Sequence, residues 1–237
     1  RNIQDQICKR EILFMLKTNL KIKSNIHQNQ KNMGLAKSII NGLFIMSKKF
    51  DKFIVLEDDC IPRKEFFKFT YKCLKYYEND KNIDAVCGYQ IPEIHEAKSK
   101  TIKAYCLKNF ISWGWATWSK KWNEYINKSK KQKLTTKTLK SKMIKKIKKL
   151  SISKKNIWTF DYIKYSHNQN KHFIFPNKSL IKNIGFDGSG VNSSLTNKFN
   201  TFYSKAKIEN FNFNIKNDKL LKNKQMKILL KRVKYFF

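Results

Sequence analysis

Apolar positions along this chain switch repeatedly between a helical and a strand spacing. Ile3, Ile7, Ile12 and Leu16 recur near a 3.6-residue period and predict a helix over residues 3–17, and Leu20, Ile22 and Ile26 bracket a short alternating strand. Asn32-Met33-Gly34 is a turn signal that opens a second helix, with Leu35, Ile39, Ile40 and Leu43 as its apolar stripe. Phe53-Ile54-Val55-Leu56 reads as a short buried strand; Glu57, Asp58 and Asp59 follow at its end, and Pro62 stops the ladder. Lys64 to Tyr77 predicts a helix with Phe67, Tyr71 and Leu74 inward, and Ile83 to Cys87 a strand closed by Gly88. This alternation predicts an α/β fold with a mostly parallel sheet covered by helices. A doubly wound nucleotide-binding sheet begins with a strand. This chain begins inside a helix, so the sheet is expected to lack its first strand or strands within residues 1–237.

In the second half, Ala104-Tyr105-Cys106-Leu107 suggests a strand, and four of the five tryptophans fall between Trp113 and Trp122. Residues 128–155 are rich in lysine, with Leu139, Met143, Ile147 and Leu150 spaced for an amphipathic helix. Trp158 to Asn168 predicts a helix carrying Asp161; Phe173 to Pro176 and Ser179 to Ile181 predict short strands; Asn183 to Gly190 is a glycine-rich loop. The organisation expected is one domain over 1–215, with a lysine-rich insertion at 128–155, and a basic helical tail over 216–237.

Composition narrows the classes. A chain of 237 residues with 41% apolar and 14% aromatic content is globular. A net charge of +34 calls for a polyanion or reflects a bias spread over the whole chain. The lysines do not gather on one recognisable nucleic-acid module, so nucleic acid is not the expected partner; an anionic membrane or a phosphorylated substrate is. The five cysteines form no C-x-x-C pair and several sit in apolar runs, as expected of buried free thiols in a reducing compartment. No run of 18 apolar residues and no signal peptide is present, so the expected location is cytoplasmic, with peripheral contact at the inner face of the membrane. The tail either lies on the membrane surface as a basic amphipathic helix or docks on the domain.

Three stretches carry chemistry. A strand that ends in Glu57-Asp58-Asp59 concentrates negative charge, and a hard divalent ion such as Mn²⁺ or Mg²⁺ prefers carboxylate oxygens and bridges to a diphosphate. In Trp113-Gly114-Trp115 a glycine between two indoles lets backbone approach a ligand, and indole faces stack on sugar rings; a tryptophan-rich core corner uses the same residues. Asp161, amid Trp158, Phe160 and Tyr162, is a candidate general base if partly desolvated, or else a solvent-facing acid in a first helical turn.

Together these stretches resemble a GT-A-fold glycosyltransferase, closest to bacterial relatives of the N-acetylglucosaminyltransferase I family. The resemblance rests on Ile54 to Pro62 with Phe66-Phe67, Ser112 to Trp118 with Trp122, and Trp158 to Tyr162. Pro176-Asn177 and Asn183-Ile184-Gly185-Phe186 complete it, in that order along the chain. It implies a Rossmann-like GT-A sheet and sugar transfer from a nucleotide-diphosphate sugar to a glycan or lipid-linked acceptor. It also implies Asp59 as the direct ligand of Mn²⁺ or Mg²⁺, Asp58 on the ribose and Glu57 facing the donor sugar. Trp113, Gly114 and Trp115 would line the sugar site, Gly185 and Phe186 would belong to a loop closing over the donor, and Asp161 would be the base of an inverting reaction. The other readings are a non-catalytic polyanion-binding protein and an inactive transferase remnant.

Overall fold

The computed structural model describes residues 7, 10–15, 18, 24–96, 98–131, 158–188, 195–201, 210–216 and 219–236. The predicted strand at 20–26 falls partly outside these residues, and 24–29 are irregular; the lysine-rich stretch beyond 131 lies outside them up to 157. The chain divides into two compact units, 1–34 and 35–237. In the first, residues 7, 10–15 and 18 are helical, with Ile7, Ile12, Phe14 and Met15 exposed.

The second unit runs α1 (Leu35–Lys49), β1 (Lys52–Val55), β2 (Cys60–Pro62), α2 (Lys64–Tyr76), β3 (Ile83–Cys87), β4 (Thr101–Leu107), β5 (Trp115–Trp118), α3 (Ser119–Lys131), α4 (Trp158–Asn168), β6 (His172–Pro176), β7 (Ile181–Asn183), β8 (Asn210–Lys216) and α5 (Lys219–Phe236). Six strands form one sheet in the order β1-β5-β3-β6-β4-β8, while β2 and β7 form a separate two-stranded ribbon. The α/β architecture is as expected. The sheet within it is mixed: β3–β6 and β4–β8 pair in parallel, whereas β1–β5, β5–β3 and β4–β6 are antiparallel. The cause is β5. The tryptophan segment is a fully buried strand inserted between β1 and β3, where a directly wound sheet would place those two side by side.

On α2 the inward residues are Phe66, Phe69, Thr70, Cys73 and Leu74; the expected inward residues Phe67 and Tyr71 are exposed. The doublet Phe66-Phe67 offers two apolar stripes about 100° apart, and the one shared with Phe69, Cys73 and Tyr77 has more large apolar members. Beneath the sheet an aromatic core gathers Phe110, Trp115, Trp122, Tyr125, Trp158, Tyr162 and Phe173. Trp115 is stacked on Trp158 at 5.8 Å and edge-on to Phe110 at 5.0 Å. Such pairs each contribute about 0.5–1.5 kcal/mol beyond area burial. The four described cysteines, Cys60, Cys73, Cys87 and Cys106, are buried and free. Tail helix α5 belongs to this unit: Gln225 and Leu229 are buried, and the Gln225 amide exchanges hydrogen bonds with Asn109 at 3.3–3.4 Å.

At the N-terminal end of β3, Lys121 fastens the turn that leaves α2. Its buried ammonium donates to the carbonyls of Tyr77, Asp80 and Ile83 at 3.2, 2.9 and 2.7 Å and lies 3.6 Å from the Trp118 ring centroid. The last carbonyls of a helix need donors, and a lysine supplies three. Beside it, Asp84 is fully buried, and neither carboxylate oxygen has a well-formed hydrogen bond among the described residues. Lys171 stands 3.7 Å away. Burial pushes the Asp84 carboxyl up to about 6, with Lys171, the Tyr162 hydroxyl and Lys121 pulling the other way. A carboxyl raised on folding contributes stability that is complete below the unfolded value near 3.8 and is lost as pH rises through about 6. Asp84→Asn is therefore expected to gain in Tm relative to the parent as pH increases from 4 to 7, by the equivalent of up to about 3 kcal/mol. A difference in Tm independent of pH would show that Asp84 stays charged.

Candidate functional site

The acid triplet occupies the turn between β1 and β2. β1 ends at Val55, opposite Trp115, and the Cys60 N–H donates to the Glu57 carbonyl at 3.0 Å, closing the turn over Glu57, Asp58 and Asp59. The chain then enters the ribbon, where Cys60 faces Asn183, Ile61 faces Lys182 and Pro62 faces Ile181. Residues more than 120 positions apart thus meet at the acids. Ile184 N–H donates to the Asp59 carbonyl at 2.8 Å, and the Asn183 amide donates to Asp59 Oδ2 at 3.1 Å. Asn183 Oδ1 in turn accepts from Gly185 N–H at 2.8 Å, an Asx turn that aims its amide at the carboxylate. A Cβ on Gly185 would collide with Asp59 Oδ2.

Asp58 is exposed, and Asp59 and Glu57 are half-buried. Burial pushes the Glu57 carboxyl up to about 7; the Asp59 and Asp58 charges add to the shift, and a hydrogen bond from Ser112 opposes it. Glu57 Oε1 is buried without a hydrogen-bond partner among the described residues. Burial first, and the charges of Asp59 and Asp58 after it, drive Glu57 towards neutrality. Hard oxygen donors with an orphaned oxygen fit Mn²⁺ or Mg²⁺. Among the described residues no three His, Cys, Asp or Glu side chains converge as a complete ligand set, so such an ion would draw most of its coordination from a ligand and water.

Behind the turn lies an aromatic cluster. Trp113 meets Tyr89, Phe186 and Phe199 edge-on at 4.7, 5.2 and 5.4 Å, and the Tyr89 hydroxyl donates to the Phe199 carbonyl at 2.8 Å. Glu57 is thereby tied to the residue before Trp113, and Asp59 packs on the residue before Phe186. The two indoles are used by the protein itself: Trp115 has no exposed surface and Trp113 retains 9%. Gly114, at φ +66°, faces protein as well, since a Cβ there would lie 2.5 Å from Ile181 Cδ1 and 3.3 Å from Leu56 Cδ2. In this conformation the segment builds a core corner under the turn, and its rings offer no open stacking face.

Asp161 is exposed in the first turn of α4; surrounding protein raises its carboxyl above the usual range, and Lys164 pulls it down. The pairing of Val55 with Trp115 and the Trp115–Trp158 stack place the start of α4 towards the strand end that bears the triplet. Its electrostatic partners are Lys164 and Tyr125. Sequence reasoning passed over Asn183 as a functional side chain, although Asn-x-Gly at a strand end is an Asx-turn signal. Ser112 carried no signal of its own. Asn177 is a structural clamp: it accepts from Lys103 N–H at 2.9 Å and donates to Glu96 and to the Thr101 carbonyl at 2.8 and 3.2 Å.

Comparison with protein-family models and with curated proteins finds no significant match.

The Gly185–Asp59 contact yields a direct test. Gly185→Ala is expected to destabilise the protein by about 1–3 kcal/mol. Asp59→Ala should recover part of that loss in a double-mutant cycle by urea unfolding, since the clashing oxygen is gone. Strict additivity would show that the two residues do not touch.

Proposed function

We propose that the chain is a metal-dependent glycosyltransferase that moves a sugar from a nucleotide-diphosphate donor to a glycan or lipid-linked acceptor with inversion. The observation that carries this reading is the meeting of Asp59 with Asn183 and Gly185 at the end of β1. A carboxylate there is held by an amide from a distant loop, and its Oδ2 stands beside backbone where a Cβ would collide with it. The resemblance of Glu57-Asp58-Asp59, Trp158 to Tyr162 and Asn183 to Phe186 to the GT-A transferases of the N-acetylglucosaminyltransferase I type supports the same roles. Asp59 would hold Mn²⁺ or Mg²⁺, with Asp58 and Glu57 turned to the donor's ribose and sugar. The ion supplies neutralisation of the charge that grows on the diphosphate, so no protein acid is needed for the leaving group.

Asp161 takes the acceptor hydroxyl's proton as the oxygen forms its bond to the anomeric carbon. The bond from that carbon to the diphosphate oxygen breaks, and the nucleoside diphosphate leaves with the electron pair. A carboxyl raised by partial desolvation is a better base than a fully solvated one. Gly185 and Phe186 link the donor side to the Trp113 cluster, so closing of that loop would be felt through Phe186.

Thermal shift with Mn²⁺ and a panel of UDP- and GDP-linked sugars is expected to find a stabilising donor, with CMP-linked sugars as the control lacking a diphosphate. Asp59→Ala should abolish the metal-dependent part of the shift. Asp161→Asn should keep the shift and lower the transfer rate by about 10²–10⁴-fold. No shift with any donor, or a product of retained configuration, would overturn the reading.

A further inference from the structure

The outward face of α2 is not explained by sugar transfer. Its exposed residues are Lys64, Phe67, Lys68, Tyr71, Lys72, Lys75 and Tyr76, with no acid and no small polar residue among them. At 100° per residue the four lysines form the crest of this face, Phe67 and Tyr71 run along one flank, and Tyr76 lies on the other. Lys68 and Lys72 also reach the Phe211 ring on β8, at 5.2 and 5.4 Å. The one acid of the first turn, Glu65, is turned aside to Arg63 at 3.2 Å and does not offset the crest. The ribbon just before α2 also bears exposed apolar and basic residues. There Ile61 and Lys182 stand opposite each other on the exposed side, and Ile184 follows, also exposed.

We infer that the lysine crest and aromatic flank of α2, with Ile61, Lys182 and Ile184, form a docking surface for an anionic lipid bilayer. Lysines at headgroup depth are attracted to anionic lipid, and phenyl and phenol rings settle at the boundary between headgroups and chains. Exposed isoleucines gain from acyl chains and nothing from phosphates or stacked bases, which separates this surface from a nucleic-acid groove. Ile184 and Ile61 flank Asp59 along the ribbon, so docking would bring the acid turn to the lipid surface. The inference is independent of the transfer reaction, because vesicle binding is measured with neither donor nor metal.

A protein of net charge +34 is drawn to anionic vesicles by any face. The experiment therefore compares variants of equal charge. Partitioning of the full chain onto phosphatidylcholine vesicles containing about one quarter phosphatidylglycerol is measured by co-sedimentation. Neutralising Lys64 and Lys75 (K64Q with K75Q) is expected to weaken binding about thirtyfold. Neutralising Lys224 and Lys227 on α5 should change it by less than about threefold. Phe67→Ser with Tyr71→Ser should weaken binding with all charges kept. Unchanged far-ultraviolet circular dichroism and Tm show that each variant folds. Equal losses from the α2 and α5 pairs, or no effect of the aromatic pair, would overturn the inference. Wild-type binding to single-stranded oligonucleotides but not to vesicles would also overturn it.

Discussion

Ile181 occupies space that two glycines leave open, and the placement of the ribbon on the sheet depends on it. A Cβ on Gly88, just past β3, would stand 2.9 Å from Ile181 Cγ1 and would also collide with Phe66; a Cβ on Gly114, just before β5, would stand 2.5 Å from Ile181 Cδ1. The two glycines are themselves joined, Gly88 N–H to the Gly114 carbonyl at 2.7 Å. The ends of adjacent strands therefore form a slot, and the first residue of β7 fills it. Everything that reaches the acid turn from the far end of the chain, Asn183, Ile184 and Gly185, is positioned two to four residues beyond that anchor. A side chain at either glycine would lift the ribbon and with it the amide that holds Asp59.

The charges of the molecule divide into three regimes. Exposed lysines on α2 meet water and face outward. Lys121 and Lys171 are buried; Lys121 is satisfied by three carbonyls, which suits an ammonium with three donors, and Lys171 by the Lys81 carbonyl with Asp84 and Glu124 nearby. The carboxylates of the 57–59 turn are crowded against each other at the edge of an aromatic cluster. The buried Asp84 and the half-buried Glu57 are both shifted upward, chiefly by desolvation. They differ in their neighbours: lysines compensate Asp84, whereas further acids aggravate Glu57. The first arrangement is a structural compromise inside the sheet; in the second, no cation among the described residues counters the shift of Glu57.

Much of the framework was legible in the sequence, for identifiable reasons. Ile83 to Cys87 and Trp158 to Asn168 have one period each and clear stops, and both are found with the expected bounds. A short strand near Ile181 was expected, but its pairing with Cys60–Pro62 was not legible, because three residues carry no period and the partner is about 120 residues away. That Trp115–Trp118 is a strand was not legible either, since all four residues are buried and show no alternation. A run of tryptophans serves a ligand or a core equally well until its neighbours are known. The neighbours here are Trp158, Trp122 and Phe110 for one indole and Tyr89, Phe186 and Phe199 for the other. The triplet itself was legible as a charge concentration at a strand end. What Asp59 touches depended on an Asx turn far along the chain.

β1 is the end strand of the sheet order and, among the described residues, is laddered on one side only, through the four pairs Lys52–Trp118 to Val55–Trp115. β5, its partner, is held from both sides. Edge segments open at lower free energy than central ones. Detachment of β1 would carry the three acids away while β5, β3, β6 and β4 keep their register. Native fold and assembled acid turn are therefore separate properties of this chain. Bulk secondary structure reports the first and is silent on the second.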